Sequence, residues 1–283
     1  MRIEQLYCYP VKSLQGIALD EAQVTARGLA MDRIWMLVDA QQRFVTQRQR
    51  PALASVGVAL SAESLVLSHE SCAPLHVPLD LPAGKLRVVS VWKDHCKAYP
   101  ESADVSRWFE AALGEQGQGL TLVRFAREFS RAVEPDFLHG EAADTHFADG
   151  YPFLVTSTGS LDRLNEALAA NGQSPVPMSR FRPNIVVKTA AGWEEDGWQT
   201  LQTAVGTLAW TLRKPSQRCK ITTIDQRTGA ITAPGEPLKT LLALNSQPRL
   251  KGAHFGQNAT LACGEGERLR VGDAVYAQGN GAA

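Results

Sequence analysis

The stretch Ser102–Ala126, SADVSRWFEAALGEQGQGLTLVRFA, changes its period midway, and that change sets the architecture. Val105, Trp108, Phe109, Ala112 and Leu113 fall at i, i+3, i+4, i+7 and i+8, the spacing of one helical face. Ser102 stands where an N-cap belongs and Gly114 where a helix stops, so an amphipathic helix is expected. GEQGQG follows; glycine and glutamine cannot build a core there, and LTLVRFA restarts a strand-like pattern. A boundary is placed at this loop, giving units 1–118 and 119–283.

Upstream, RIEQLYCYP, EAQVTARG, RIWMLVDA, LASVGVAL, SLVLSHES, LRVVSVW and HCKAYP alternate apolar and polar residues between Gly, Pro, Asp and Ser punctuation. That spacing suits a barrel or sandwich. Downstream, GSLDRLNEALAANG is a second helix, with Leu161, Leu164 and Leu168 on one face and Gly172 ending it. RPNIVVK, TAVGTLAWTLR, KITTID, AHFGQNATLAC and AVYAQ are expected to be strands of a second β-rich unit. No internal repeat is evident, and the closing GNGAA is expected to fray. The fold class is β-rich α+β: an N-terminal β-barrel-like domain and a C-terminal barrel with a few helices.

At 283 residues, with 44% hydrophobic and 20% charged residues and a formal net charge of +0, the chain has a sizeable core and no global pull toward nucleic acid or acidic membranes. Any electrostatic specialisation must be local. The first residues hold no long apolar segment with a small-residue cleavage site, and no window is long and apolar enough for a membrane span, so a cytoplasmic location is expected. The five cysteines are scattered and never in C-x-x-C spacing, against a disulfide framework, zinc ribbon or iron-sulfur cluster. The six histidines form no i, i+4 pair, and P-loop, G-x-S-x-G and H-E-x-x-H motifs are absent.

One cysteine has a distinct setting. From Gln199 to Ile224 there is no acidic residue, while Arg213, Lys214, Arg218 and Lys220 flank Cys219. Such a field favours thiolate over thiol, and a thiolate beside cations is a nucleophile or a soft-metal ligand; an inert strand cysteine is the plain alternative. The other four cysteines lack this setting and read as structural. A second acid-free run, between Asp39 and Glu63, carries Arg43, Arg48 and Arg50. With Lys12, Arg33 and Arg182 these segments could assemble an oxyanion or phosphate pocket. Thr156–Gly159 at the start of the second helix reads as a cap, and a helix N-terminus also accepts anions.

YPVKS (Tyr9–Ser13), ARGLAMDRIW (Ala26–Trp35), FVTQRQRPAL (Phe44–Leu53), FRPNIVV (Phe181–Val187), EEDGW (Glu194–Trp198), RCKITTID (Arg218–Asp225) and VGDAVY (Val271–Tyr276) occur in an order that resembles the MOSC family. The likeness is to members with an N-terminal MOSC-associated β-barrel domain, among them bacterial N-hydroxylated-base reductases and mitochondrial amidoxime-reducing components. The resemblance implies that Cys219 is the protein ligand to molybdenum, held in a molybdopterin cofactor. It implies that Lys12, Ser13, Arg33, Arg182 and Asn184 hold the pterin and its phosphate, with Arg218 beside the ligand. Arg48, Ser157 and Thr158 are looser assignments. Asp196 is carried as a catalytic candidate for proton delivery, a structural role being equally open.

The implied activity is reduction of N-hydroxylated small molecules by N–O cleavage, a detoxification of hydroxylated bases among others. No cysteine cluster follows VGDAVYAQ, so electrons are expected from a separate ferredoxin or flavoprotein reductase, with no nucleic-acid or membrane partner. Position 216 is serine where some relatives carry an extra cysteine, so no dithiol is expected. The cleft around Cys219 is expected to open to solvent with Arg213 or Lys214 at its rim. The alternative is a carrier of sulfur or molybdenum cofactor working through the same thiol; a plain anionic-metabolite binder is a third reading.

Overall fold

The computed structural model describes residues 1–80 and 84–279; the expected fraying of Asn280–Ala283 lies outside the described residues. An eight-stranded sheet forms its larger half, in the order Ile17–Leu19, Arg2–Cys8, Ile185–Lys188, Phe153–Ser157, His254–Cys263, Ala209–Gln217, Trp198–Thr203 and Val275–Gly279. Ile3 N donates to Asp273 O at 2.9 Å and Val275 N to Met1 O at 3.1 Å, so the first strand meets the last and the sheet closes into a barrel. Ile3, Leu6, Phe153, Val155, Ile185, Val187, Leu201 and Trp210 fill its interior. Ile3 and Leu6 are an odd number of residues apart, yet both are buried, because the register shifts between Ile3 and Gln5.

The smaller half has two sheets. Trp35–Val38, Thr121–Phe125, Asp94–Pro100 and Arg87–Val91 form one; Gly57–Leu60, Ser64–His69 and Cys72–Pro78 form the other. Helix α1, Ala103–Leu113, buries Val105, Trp108, Phe109 and Ala112, which cluster with Trp35, Leu65 and Leu67. The expected period and both ends of α1 hold, although the Ser102 side chain makes no capping bond. Helix α2, Thr158–Ala170, is the crossover between the parallel strands Phe153–Ser157 and Ile185–Lys188 and buries Leu164 and Leu168.

Strand pairing crosses the expected boundary after residue 118: Thr121–Phe125 pairs with Trp35–Val38 and Asp94–Pro100, while Arg2–Cys8 pairs with Ile185–Lys188. One expectation needs correction. KITTID is not a strand. Lys220–Thr223 is a 3-10 turn in which Thr222 Oγ1 donates to Cys219 O at 3.0 Å and Thr223 Oγ1 to Lys220 O at 2.8 Å. Those local side-chain bonds outweigh the β preference of Ile and Thr. The strand Trp198–Thr203 and helix α3, Leu238–Leu244, were not anticipated. Among the described residues no helix is long and apolar enough to cross a membrane.

Candidate active site

A cleft of about 800 Å³ opens where the two halves meet, lined by residues from both. Cys219 sits in its wall between the strand ending at Gln217 and the 3-10 turn, half-buried. Arg48 Nη1 approaches the Cys219 sulfur at 3.7 Å, across a sequence separation that no local pattern reveals. The lining includes nine lysines and arginines against three carboxylates, in a chain whose net charge is +0. The specialisation is therefore local, and it favours anions.

The cations are fixed one by one. Lys12 is buried; its Nζ donates to Phe147 O at 2.7 Å and pairs with Asp149 at 2.5 Å. Burial pulls its ammonium down to about 8 against the opposing pull of Asp149. Burial would raise the Asp149 carboxyl, but Lys12 and Arg48 hold it well below the usual range. Arg33 pairs with the buried Asp32 and donates from Nη2 to Arg182 O at 3.2 Å. Arg182 donates from Nη1 to Leu14 O at 2.7 Å and Gln226 Oε1 at 3.0 Å, and burial lowers its pKa to about 10. The guanidinium carbons of Arg33 and Arg182 each lie 4.3 Å from the centre of the Tyr9 ring. Arg218 donates to Ser216 Oγ and Phe181 O, both at 2.7 Å.

Ser13, Arg33, Trp92 and Arg182 all have positive φ, between 51° and 70°, and all line the cleft. Strained backbone gathers at functional sites because the surroundings can over-determine it there. Two buried guanidinium nitrogens of the cleft lining, Arg48 Nη2 and Arg218 Nε, lack a partner among the described residues. Unpaired cationic donors of this kind call for an anion. Among the described residues no three His, Cys, Asp or Glu side chains gather into a metal-binding group. A metal bound at Cys219 would need its further ligands from a cofactor, and the donor set of one thiol and several cations suits an anionic one.

Lys12, Ser13, Arg33, Arg48, Arg182, Asn184, Arg218 and Cys219 all line this cleft. Asn184 has both ends of its amide engaged by the barrel: Oδ1 accepts from Leu154 N and Nδ2 donates to Tyr7 O, both at 3.2 Å. Three other assignments do not reach the cleft lining. The Ser157 hydroxyl donates to Glu195 at 2.6 Å inside the barrel wall, Thr158 Oγ1 bonds the Thr189 backbone, and Asp196 accepts from Gln257 Nε2 at 2.7 Å. Burial raises the Asp196 carboxyl. Lys214 lines the cleft as expected, but Arg213 is buried against Thr260 and Glu141. The exposed Trp92, Phe137 and Leu250 in the lining mark where it opens to solvent. Trp92, Asp149 and His254 were missed; only their three-dimensional proximity marks them. Of the remaining cysteines Cys8 and Cys96 are buried, whereas Cys263 is exposed rather than packed.

Fold and cleft together define a β-barrel protein with one thiol in a cation-lined cleft. Residues 1–116 match the MOSC N-terminal beta barrel domain and residues 142–276 the MOSC domain. The chain is 31% identical to mitochondrial amidoxime-reducing component 1 of Mus musculus, over 98% of this chain and 82% of that protein. It is 30% identical to the Homo sapiens component 1, over 98% of this chain and 83% of that protein. It is also 28% identical to a molybdenum cofactor sulfurase of Oryza sativa, over 98% of this chain but 35% of that protein. The chain belongs to the MOSC family with an N-terminal MOSC barrel, alongside the amidoxime-reducing components.

Proposed function

We propose that this protein holds a molybdopterin-type molybdenum cofactor in the cleft and reduces N-hydroxylated small molecules, with electrons from a separate ferredoxin or flavoprotein reductase. The observation that carries the reading is Cys219 beside Arg48 in a cleft where two buried guanidinium nitrogens, Arg48 Nη2 and Arg218 Nε, have no partner among the described residues. When bound, the cofactor would supply the two-electron chemistry that breaks an N–O bond. Cys219 would be the protein's ligand to the metal, with the Arg48 guanidinium beside its sulfur. Lys12, Arg33, Arg182 and Arg218 would neutralise the anionic groups of the cofactor from fixed positions, so little reorganisation accompanies reaction. Asn184 would shape the wall. Asp196 would act on a proton only by way of His254, which lines the cleft and whose charge it senses.

In protein from a host that makes the cofactor, wild type should carry stoichiometric molybdenum and pterin, and Cys219→Ser should lose most of the metal. Cys72→Ser and Cys263→Ser should retain it. Metal retained by Cys219→Ser and lost from another cysteine variant would sink the assignment. The match to a cofactor sulfurase favours one second reading, a carrier role for the same thiol. Labile sulfane sulfur on Cys219, without turnover of any N-hydroxylated compound at full metal load, would select it.

A further inference from the structure

Trp92 sits in the two-residue turn of the hairpin Arg87–Val91 and Asp94–Pro100. Tight hairpin turns favour Gly or Asn where φ is positive, yet this position holds a tryptophan at φ 55° that is 50% exposed. Neither the strain nor the exposure helps the fold. The side chain is nonetheless held firmly. Its Nε1 donates to Asp149 Oδ1 at 3.2 Å, the Arg48 guanidinium lies 4.2 Å from the ring centre, and the Phe44 ring packs at 4.9 Å. Through Arg48 it is one contact from the Cys219 sulfur, and through Asp149 one contact from Lys12. Of the cations assigned to the cofactor Lys12 is buried and Arg33, Arg48, Arg182 and Arg218 are half-buried, so a more exposed ring in the same lining belongs to its outer part.

We infer that Trp92 is a specificity-determining residue, an aromatic platform at the cleft mouth that selects planar, ring-bearing N-hydroxylated substrates over small aliphatic ones. The inference rests on the proposed reductase reading and names the substrate class of the same site. A rigid indole offers a large apolar face at low entropic cost, and a planar ring stacked on it gains beyond simple burial. An aliphatic substrate gains little there.

The test uses holoprotein from a cofactor-producing host, as wild type, Trp92→Phe and Trp92→Leu, which share the β-carbon and so the backbone strain. Binding of benzamidoxime and of acetamidoxime to the oxidised protein, with no electron donor, is measured by calorimetry, alongside molybdenum content. Wild type should prefer benzamidoxime. Trp92→Leu should weaken it about tenfold, Trp92→Phe less than about threefold, and the acetamidoxime constant should move less than about twofold. With a donor present, the benzamidoxime to acetamidoxime ratio of kcat/KM should fall in parallel. Equal weakening of both ligands, no preference in wild type, or loss of molybdenum from Trp92→Leu would overturn the inference. Absence of turnover in fully loaded wild type would sink the reductase reading alone, because the binding comparison needs no chemistry.

Discussion

Tyr9 carries two cationic side chains on one ring, Arg33 and Arg182 at 4.3 Å each, and its own hydroxyl has no partner among the described residues. Each such contact is worth about 1–2 kcal/mol when desolvated. The ring, not the hydroxyl, is therefore what orients the arginines. A β-carbon added at Gly16 would lie 2.3 Å from Tyr9 Cε1, so Gly16 leaves room for the ring. Tyr9→Phe should keep molybdopterin through gel filtration, whereas Tyr9→Leu should release at least about tenfold more, with pterin fluorescence as the readout. Equal retention in both variants would show the ring to be incidental. Lys12, Arg33, Arg182 and Cys219 were legible because each stands inside a short motif of fixed order. Trp92 was not, since in sequence it is one aromatic in a strand-like run, and its distinction is a backbone angle and two partners distant along the chain.

At the scale of elements, the start of α2 is a closed polar knot. Ser157 Oγ accepts from Ser160 N at 3.2 Å, and both hydroxyls donate to the buried Glu195, at 2.6 and 2.8 Å. Burial raises the Glu195 carboxyl, with the two serines opposing. Ser157→Ala should cost about 1–2 kcal/mol in urea unfolding while molybdenum content stays near wild type. Loss of metal without loss of stability would restore Ser157 to the cofactor site. The two long helices could be read from sequence because their apolar faces repeat at the helical period over about two turns. KITTID could not, because threonine hydroxyls can bond backward to their own chain, and only the folded context decides whether they do. Gly-rich 114–119 reads as a boundary, yet Thr121–Phe125 returns to the first sheets; strand pairing is non-local and composition does not encode it.

For the whole molecule, the interlocked halves predict that residues 119–283 alone, deprived of the strand Arg2–Cys8, will not unfold cooperatively or bind cofactor. Circular dichroism melts would show it, and a sharp two-state transition in that fragment would contradict it. A second global expectation concerns acid. Burial lowers His146 to about 4, and its ring packs edge-on against Phe125. In the unfolded chain an imidazole titrates near 6.5, so between these values the unfolded state takes up a proton that the folded state refuses. Stability is full above about pH 6.5 and falls toward pH 4, by on the order of 3 kcal/mol from this residue. His146→Gln should flatten that limb of the stability profile; an unchanged slope would assign it to other groups. Barrel closure by the first strand also sets a timetable for synthesis. Arg2–Cys8 leaves the ribosome well ahead of its neighbour Ile185–Lys188, by roughly ten to forty seconds of translation, and Asp273 follows later still. Ile17–Leu19 can cover one edge of Arg2–Cys8 soon after it emerges, so through that interval only the other edge stays open, until Ile185–Lys188 arrives to seal it.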